Sequence, residues 1–338
     1  MSKEQLQYRN LGDAELRSMF LQAASGQTKD ADDFFGRFKY VQDLFNGSYS
    51  AALDQGLALL QKCKQIDAEA YRNIHKGTPF YWVGTAAFLV HDYQTAVFFF
   101  DAAVSEDIRA GAHPVNNSTP ALRFIQIEGG QPEQAAKPLV VAMQVRIEDA
   151  IAGYNSRPGR PGGVGDLELN QIRESFLRPA VSQGYENWRS LATALISYFL
   201  EWDYRSTLIE LRSGEGTAEP FFIHLFKGCV LFESLLKANP KDAPPPGAST
   251  LGPVLQHLCS HLGIPHNFVI GGTDFPAVIR DLPSADDAIP TALQFAGRVR
   301  NTVGHNLGWK AALDRSQYDS LARMVASSCL HAIACLYR

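Results

Sequence analysis

The sequence predicts an all-α protein, and three observations carry that expectation. Apolar residues recur at three- and four-residue intervals through nearly every periodic segment. Strand-like alternation is confined to one short stretch, HNFVIGG at His266–Gly272. The best-defined segments also open and close on helix punctuation, as Pro220 and the following PKDAPPPG do around a long apolar run.

With 338 residues the chain has room for one large domain or two of medium size. Hydrophobic residues make up 46% and charged residues 20%, which supports a substantial core and argues against disorder. The formal net charge of -4 excludes a globally basic nucleic-acid binder, so any such binding needs a local patch. The 5 cysteines are Cys63, Cys229, Cys259, Cys329 and Cys335; they form no CxxC pair and sit mostly in apolar patterns, as reduced thiols do. The start, MSKEQLQYRNLGD, has no apolar signal core, and no run reaches the roughly 18 apolar residues of a membrane span. A soluble, cytoplasmic protein without membrane contact is expected.

The first periodic segments carry an internal echo. In NGSYSAALDQGLALL, Asn46–Leu60, and VHDYQTAVFFFDAAV, Val90–Val104, Tyr49 and Ala52 align with Tyr93 and Ala96. The second copy follows a helix with small residues Gly84, Ala86 and Ala87, which permit close helix approach while aromatics fill the adjoining holes. This resembles a tetratricopeptide helix pair, with Gly84 at the contact, Tyr93 at the turn, and Ala96, Phe100 and Ala103 on the second helix. A weaker echo starts at Glu128, in EGGQPEQAAKPLVVAM. The spacing exceeds the about 34 residues of a regular array, so the expectation is a short, irregular, tetratricopeptide-like α-solenoid, with an ordinary helical bundle as the alternative. Such a surface would receive a protein partner.

Next, YNSRPGRPGGVGD at Tyr154–Asp166 is too rich in glycine and proline for regular structure. It reads as a solvated linker, with a nucleic-acid-binding loop as the less favoured reading. Helix resumes in DLELNQIRESFLRPAV and ENWRSLATALISYFLEWDYRSTLIEL. Four further helical segments follow, at Pro220–Asn239, Thr250–Gly263, Ala288–Gly308 and Ser316–Arg338, and amphipathic helices joined by modest loops make a bundle. The expected organisation is a helical repeat over 1–153, a linker and connecting helix over 154–185, and a helical bundle over 186–338.

One stretch late in the bundle carries candidate chemistry, RVRNTVGHNLGW from Arg298 to Trp309. On an ideal helix Ala292, Ala296, Val299 and Val303 form one stripe that must face the core. Arg298, Asn301 and His305 then lie together on the far side, with Arg300 on the flank. Arginine offers a planar fork matched to phosphate oxygens, histidine exchanges protons near neutral pH, and asparagine can orient either one. The set suits cleavage of a ribose phosphodiester through the 2′-hydroxyl, which DNA lacks. The bland alternative is a solvated helix face.

RNTVGH resembles the Arg-x(4–6)-His signature of the HEPN superfamily, in which a polar residue, here Asn301, commonly follows the arginine. The order of helices over Glu186–Arg338 is similar to that family's bundle, and ESLLK supplies Glu233 and Lys237 where some members carry Glu-x-x-x-Lys. The resemblance implies a metal-independent endoribonuclease of the toxin or defence kind. It would work without cofactor as a homodimer through the C-terminal bundle, cut RNA at a shared cleft and leave a 2′,3′-cyclic phosphate. Arg300 would grip the scissile phosphate, His305 would be the acid/base and Asn301 would orient them, while Arg298 also satisfies the spacing. Glu233 and Lys237 are accessory candidates, or else an ordinary solvent-facing pair worth a few tenths of a kcal/mol. The rival implication is a non-catalytic HEPN-like adaptor for dimerisation, nucleotide or protein binding.

Among the other histidines, His257 and His261 share a helix face in HLCSHLGIPH, which also holds Cys259 and His266, but no second ligand pair follows at finger spacing. No metal is expected. His91, His224 and His331 lie in apolar patterns and read as core or boundary residues. The aromatics Phe80–Trp82 and Phe98–Phe100 read as core before they read as base-stacking platforms.

Overall fold

The computed structural model describes residues 6, 11–129, 137–162, 164–182, 186–212, 216–245, 247–271, 274–308 and 313–338. The chain is all-α. Among the described residues no strand forms, and extended pairing is limited to two isolated bridges, Leu6 with Phe38 and His113 with Asn117. It divides into two compact units, 1–140 and 141–338.

Unit 1 is built from α1 (Asp13–Ala24), α2 (Thr28–Phe35), α3 (Lys39–Phe45), α4 (Tyr49–Ile66), α5 (Ala68–Asn73), α6 (Gly77–Leu89), α7 (Tyr93–Arg109) and α8 (Pro120–Ile125). Polar caps set several of these starts by satisfying amide groups that have no partner inside the helix. Asp67 accepts from Ala70 N at 2.9 Å, Asp92 from Thr95 N at 3.1 Å, and the Thr119 hydroxyl from Leu122 N at 3.3 Å just before Pro120. Phe20, Phe34, Phe35 and Phe38 join Leu16 and Leu59 in one core cluster.

The two echoed segments start helices at the equivalent residues, Tyr49 and Tyr93, and Ala52 and Ala96 are both fully buried. Helices α6 and α7 pack along their length. A Cβ at Gly84 would stand 3.0 Å from the Phe100 ring, so glycine there sets how closely the pair approaches. Much of the third echo, residues 130–136, lies outside the described residues.

Helix α9 (Lys137–Asn155) carries the chain into unit 2. The glycine-rich stretch that follows belongs to that unit and is pinned there. Arg157, only 5% exposed, donates to the Ser327 hydroxyl at 2.9 Å and to both the carbonyl and the carboxylate of Asp287 at 3.0 and 2.9 Å. Asn155 closes the loop with a reciprocal pair to the Leu167 backbone, both bonds at 2.9 Å. A solvated linker between domains therefore does not describe it: a buried guanidinium must find partners, and here it finds them across the bundle.

The rest of unit 2 comprises α10 (Leu169–Ile172), a π-helical turn at Arg173–Leu177, α11 (Arg178–Ser182), α12 (Glu186–Leu211), α13 (Glu219–Lys237), α14 (Leu251–His257), α15 (Cys259–Leu262), α16 (Phe275–Asp281), α17 (Ile289–Val303) and α18 (Arg315–Leu336). Helix α18 is buried from Leu321 to Leu336 apart from Arg323, and α12, α13 and α17 pack against it. That near-total burial explains its apolar residues on every side. Gly228 lets α13 approach α12 and α18, since a Cβ there would meet Tyr198 at 2.4 Å and Val325 at 2.6 Å.

Two expected helices come out shorter. Thr250–Gly263 breaks at Leu258 into α14 and α15, and Gly263 ends the second in the left-handed region (φ 65°). Ala288–Gly308 stops at Val303, before Gly304. The described part of HNFVIGG forms no strand, and Gly272 lies outside the described residues.

Candidate functional site

Helix α17 turns its apolar stripe inward as its spacing predicts: Ala292, Ala296 and Val299 are fully buried and Val303 nearly so. The polar residues of the candidate motif then part company. Arg298 is 8% exposed, donates from Nη2 to Asp281 Oδ2 at 2.8 Å, and lies over the Phe295 ring at 5.3 Å. The expected open face shared by Arg298, Asn301 and His305 is therefore corrected at Arg298, which α16 covers by placing Asp281 against it. That guanidinium holds the Asp281 carboxyl below the usual carboxylate range.

Arg300 takes a different direction. Its Nε donates to Glu233 Oε2 at 2.7 Å, and Lys237 Nζ donates to the other carboxylate oxygen at 2.5 Å. Lys237 is held in turn by the Ser249 carbonyl at 2.8 Å. Glu233 is 5% exposed, so the solvent-facing pair considered from sequence is instead a buried carboxylate shared by two cations. Its two cationic partners replace the water lost on burial. The Arg300 side chain remains 27% exposed, and its Nη1 and Nη2 make no hydrogen bond to any described residue.

Asn301 is half-buried, and its amide makes no hydrogen bond within the described residues. His305 is exposed on the turn after α17, where its backbone N–H bonds the Thr302 carbonyl at 3.3 Å. It is off the helix because α17 ends at Val303, so the ideal-helix placement of the imidazole does not apply. The structure thus joins Arg300, Glu233 and Lys237, separates Arg298 from them, and leaves His305 free at the helix end. Trp309 lies outside the described residues.

The remaining histidines divide as their surroundings dictate. His224 and His331 are fully buried, as their apolar patterns predict. His224 contacts the Tyr198 carbonyl at 2.9 Å and the Tyr318 hydroxyl at 2.7 Å, and burial lowers its pKa to about 3. His331 contacts the Leu262 carbonyl at 2.9 Å and the Tyr154 hydroxyl at 3.2 Å, with its pKa lowered to about 4 by the same cause. His91 is exposed, which corrects its reading as a core or boundary residue, and its Nδ1 stands 2.8 Å from the Tyr93 hydroxyl. His257 and His261 both approach Asp242, at 3.1 and 3.5 Å, and His266 Nδ1 stands 3.0 Å from Cys259 Sγ. Among the described residues no group of three His, Cys, Asp or Glu side chains is arranged to hold a metal ion. Phe100 is core, while Phe98 is 66% exposed.

Sequence reasoning missed Asp281, which has no motif, and missed a polar cluster in unit 1 formed by Asp32, His75 and Asp107. The chain matches no family model, and no curated protein or solved structure matches it. No helix among the described residues is long and apolar enough to cross a membrane.

Proposed function

We propose that unit 2 is a HEPN-like bundle that cleaves RNA through Arg300 and His305, as a homodimer in which both copies line one cleft. The observation that carries this reading is the anchoring of Arg300. Glu233 holds it by Nε alone, and the terminal nitrogens of a partly exposed guanidinium stay unengaged. A guanidinium fixed at one edge and open at the other can present two parallel donors to phosphate oxygens at little further entropic cost.

In this reading the exposed His305 takes the proton of the ribose 2′-hydroxyl. The oxygen attacks phosphorus, Arg300 stabilises the charge that builds on the phosphate oxygens, and the 5′-oxygen leaves. It takes a proton from water or from the equivalent histidine of the second protomer. The products are a 2′,3′-cyclic phosphate and a 5′-hydroxyl. Glu233 and Lys237 are positioning residues, Asn301 orients the imidazole, and Arg298 serves the fold through Asp281. Unit 1, read as a tetratricopeptide-like region, recruits a target or regulator.

A second reading has its own support. Both arginines of the motif already have carboxylate partners, Arg298 with Asp281 and Arg300 with Glu233. That neutralisation favours a non-catalytic adaptor. RNA incubated with the full chain in chelator separates the two. Cutting that leaves a cyclic-phosphate end, is lost in His305→Ala and is kept in Arg298→Lys supports the nuclease. Equal cutting by parent and His305→Ala rejects the assigned residues, and a parent that leaves RNA intact favours the adaptor.

A further inference from the structure

Unit 1 contains a cavity of about 410 Å³, within the range of small-molecule sites. Segments distant in sequence converge on it: Asp32 from α2, His75 from the turn before α6, Tyr81 from α6, Asp107 from the end of α7, and Thr119 from the cap of α8. It is richer in unpaired polar atoms than a folded interior normally tolerates. Asp32 Oδ1, Tyr81 Oη and both ring nitrogens of His75 are shut off from solvent and have no hydrogen-bond partner. His75 Nε2 stands 3.3 Å from Asp107 Oδ1, yet not in line for a hydrogen bond.

The cluster is built rather than incidental. Asp107 is 8% exposed, and its other oxygen accepts from the Thr119 hydroxyl at 2.5 Å. A Cβ at Gly77 would fall 2.1 Å from Asp107 Oδ1 and 2.7 Å from the His75 ring, so glycine at that position is what leaves room for both. Burial raises the pKa of Asp32, opposed by the Thr78 hydroxyl and the charge of His75. The nearby cations Lys76 and Arg109 are both engaged by Glu106, at 3.0 and 2.5 Å, so they do not neutralise the two aspartates. Tyr81 and Trp82 supply aromatic walls.

We propose that this cavity binds a small organic cation, a protonated amine or guanidinium carried on an apolar body, with Asp32 and Asp107 receiving the charge and Tyr81 and Trp82 the body. Carboxylates withdrawn from water gain most from a cation that donates hydrogen bonds, and an aromatic wall adds a favourable contact with that charge. The site lies wholly in unit 1 and does not depend on the ribonuclease reading of unit 2.

The test is isothermal titration calorimetry on the full chain with four probes of matched size: phenethylamine, phenethylguanidine, the neutral phenethyl alcohol and the anionic hydrocinnamate. The expected result is that the two cations bind, and that the alcohol and the acid bind at least about tenfold more weakly. Asp32→Asn and Asp107→Asn should each weaken amine binding by at least about tenfold with unchanged helical circular dichroism. Where Asp107→Asn fails to fold through loss of its Thr119 contact, Asp32→Asn and the probe series on the parent still decide. Equal binding of amine and alcohol, preference for hydrocinnamate, or no heat with either cation up to ~10 mM overturns the proposal.

Discussion

Acid should weaken unit 2 through His224, and the size of the effect can be worked out in advance. The imidazole is fully buried and stacked on Tyr198, with ring centroids 4.4 Å apart. Its Nε2–H donates to the Tyr198 carbonyl, which leaves Nδ1 to accept from the Tyr318 hydroxyl. Accepting at Nδ1 requires the neutral ring, and burial penalises the charged one by more than the Tyr198 carbonyl favours it, so the pKa falls from 6.5 to about 3. The unfolded chain then binds a proton that the folded chain refuses. The stabilisation is complete above about pH 6.5 and is lost as pH falls toward the folded value. At pH 5.5, one unit below the ordinary histidine value, the loss is about 1.4 kcal/mol relative to pH 7.5. A folded value of about 3 leaves the native ring neutral at pH 5.5, so the loss is set by the unfolded chain. His224→Gln keeps a donor and an acceptor but cannot titrate. In a Trp82→Phe background the remaining tryptophans, Trp188, Trp202 and Trp309, all fall in unit 2, so their fluorescence reports urea unfolding of that unit. The parent should lose about 1.4 kcal/mol more than His224→Gln between the two pH values. Identical losses in the two proteins would refute the reasoning.

Three further outcomes are expected. Glu233→Gln removes the charge shared by Arg300 and Lys237; because both cations can partly return to water, it should cost about 1–2 kcal/mol in the same urea assay, below the 3–5 of a fully buried pair. Gly228→Ala gains helix propensity but forces a methyl against Tyr198 and Val325, so a net loss of about 1–3 kcal/mol is expected by thermal or urea unfolding. All five thiols are buried, and burial pushes Cys63 up to about 12 and Cys335 to about 11; Ellman's reagent at neutral pH should label the native chain slowly and the urea-unfolded chain at once.

Helical periodicity made the fold class legible, because one apolar stripe per helix is a local property of sequence. The inward face of α17, the small-residue contact at Gly84 and the burial of His224 and His331 follow from the same reasoning. Helix ends were read less well: Gly304 lies inside an otherwise periodic run, yet α17 stops before it and takes His305 off the helical face. Tertiary charge pairing was not legible at all. Nothing near Arg298 in sequence points to Asp281, and the pairing of Arg300 with Glu233 joins residues 67 positions apart. Arg157 shows the same limit, since its loop composition reads as solvated while its partners come from α18 and the segment before α17. The cation cavity of unit 1 escaped for a related reason: Asp32, His75 and Asp107 share no motif and meet only once the helices have packed.

Arg298 and Arg300 stand about 200° apart around α17, and each is tethered to a neighbouring helix, α16 through Asp281 and α13 through Glu233. Any roll of α17 that relaxes one tether stretches the other, like a mast stayed from opposite sides. The orientation at which the chain leaves the helix toward His305 is thus braced by an ion pair on each flank, beside the buried stripe of Ala292, Ala296, Val299 and Val303.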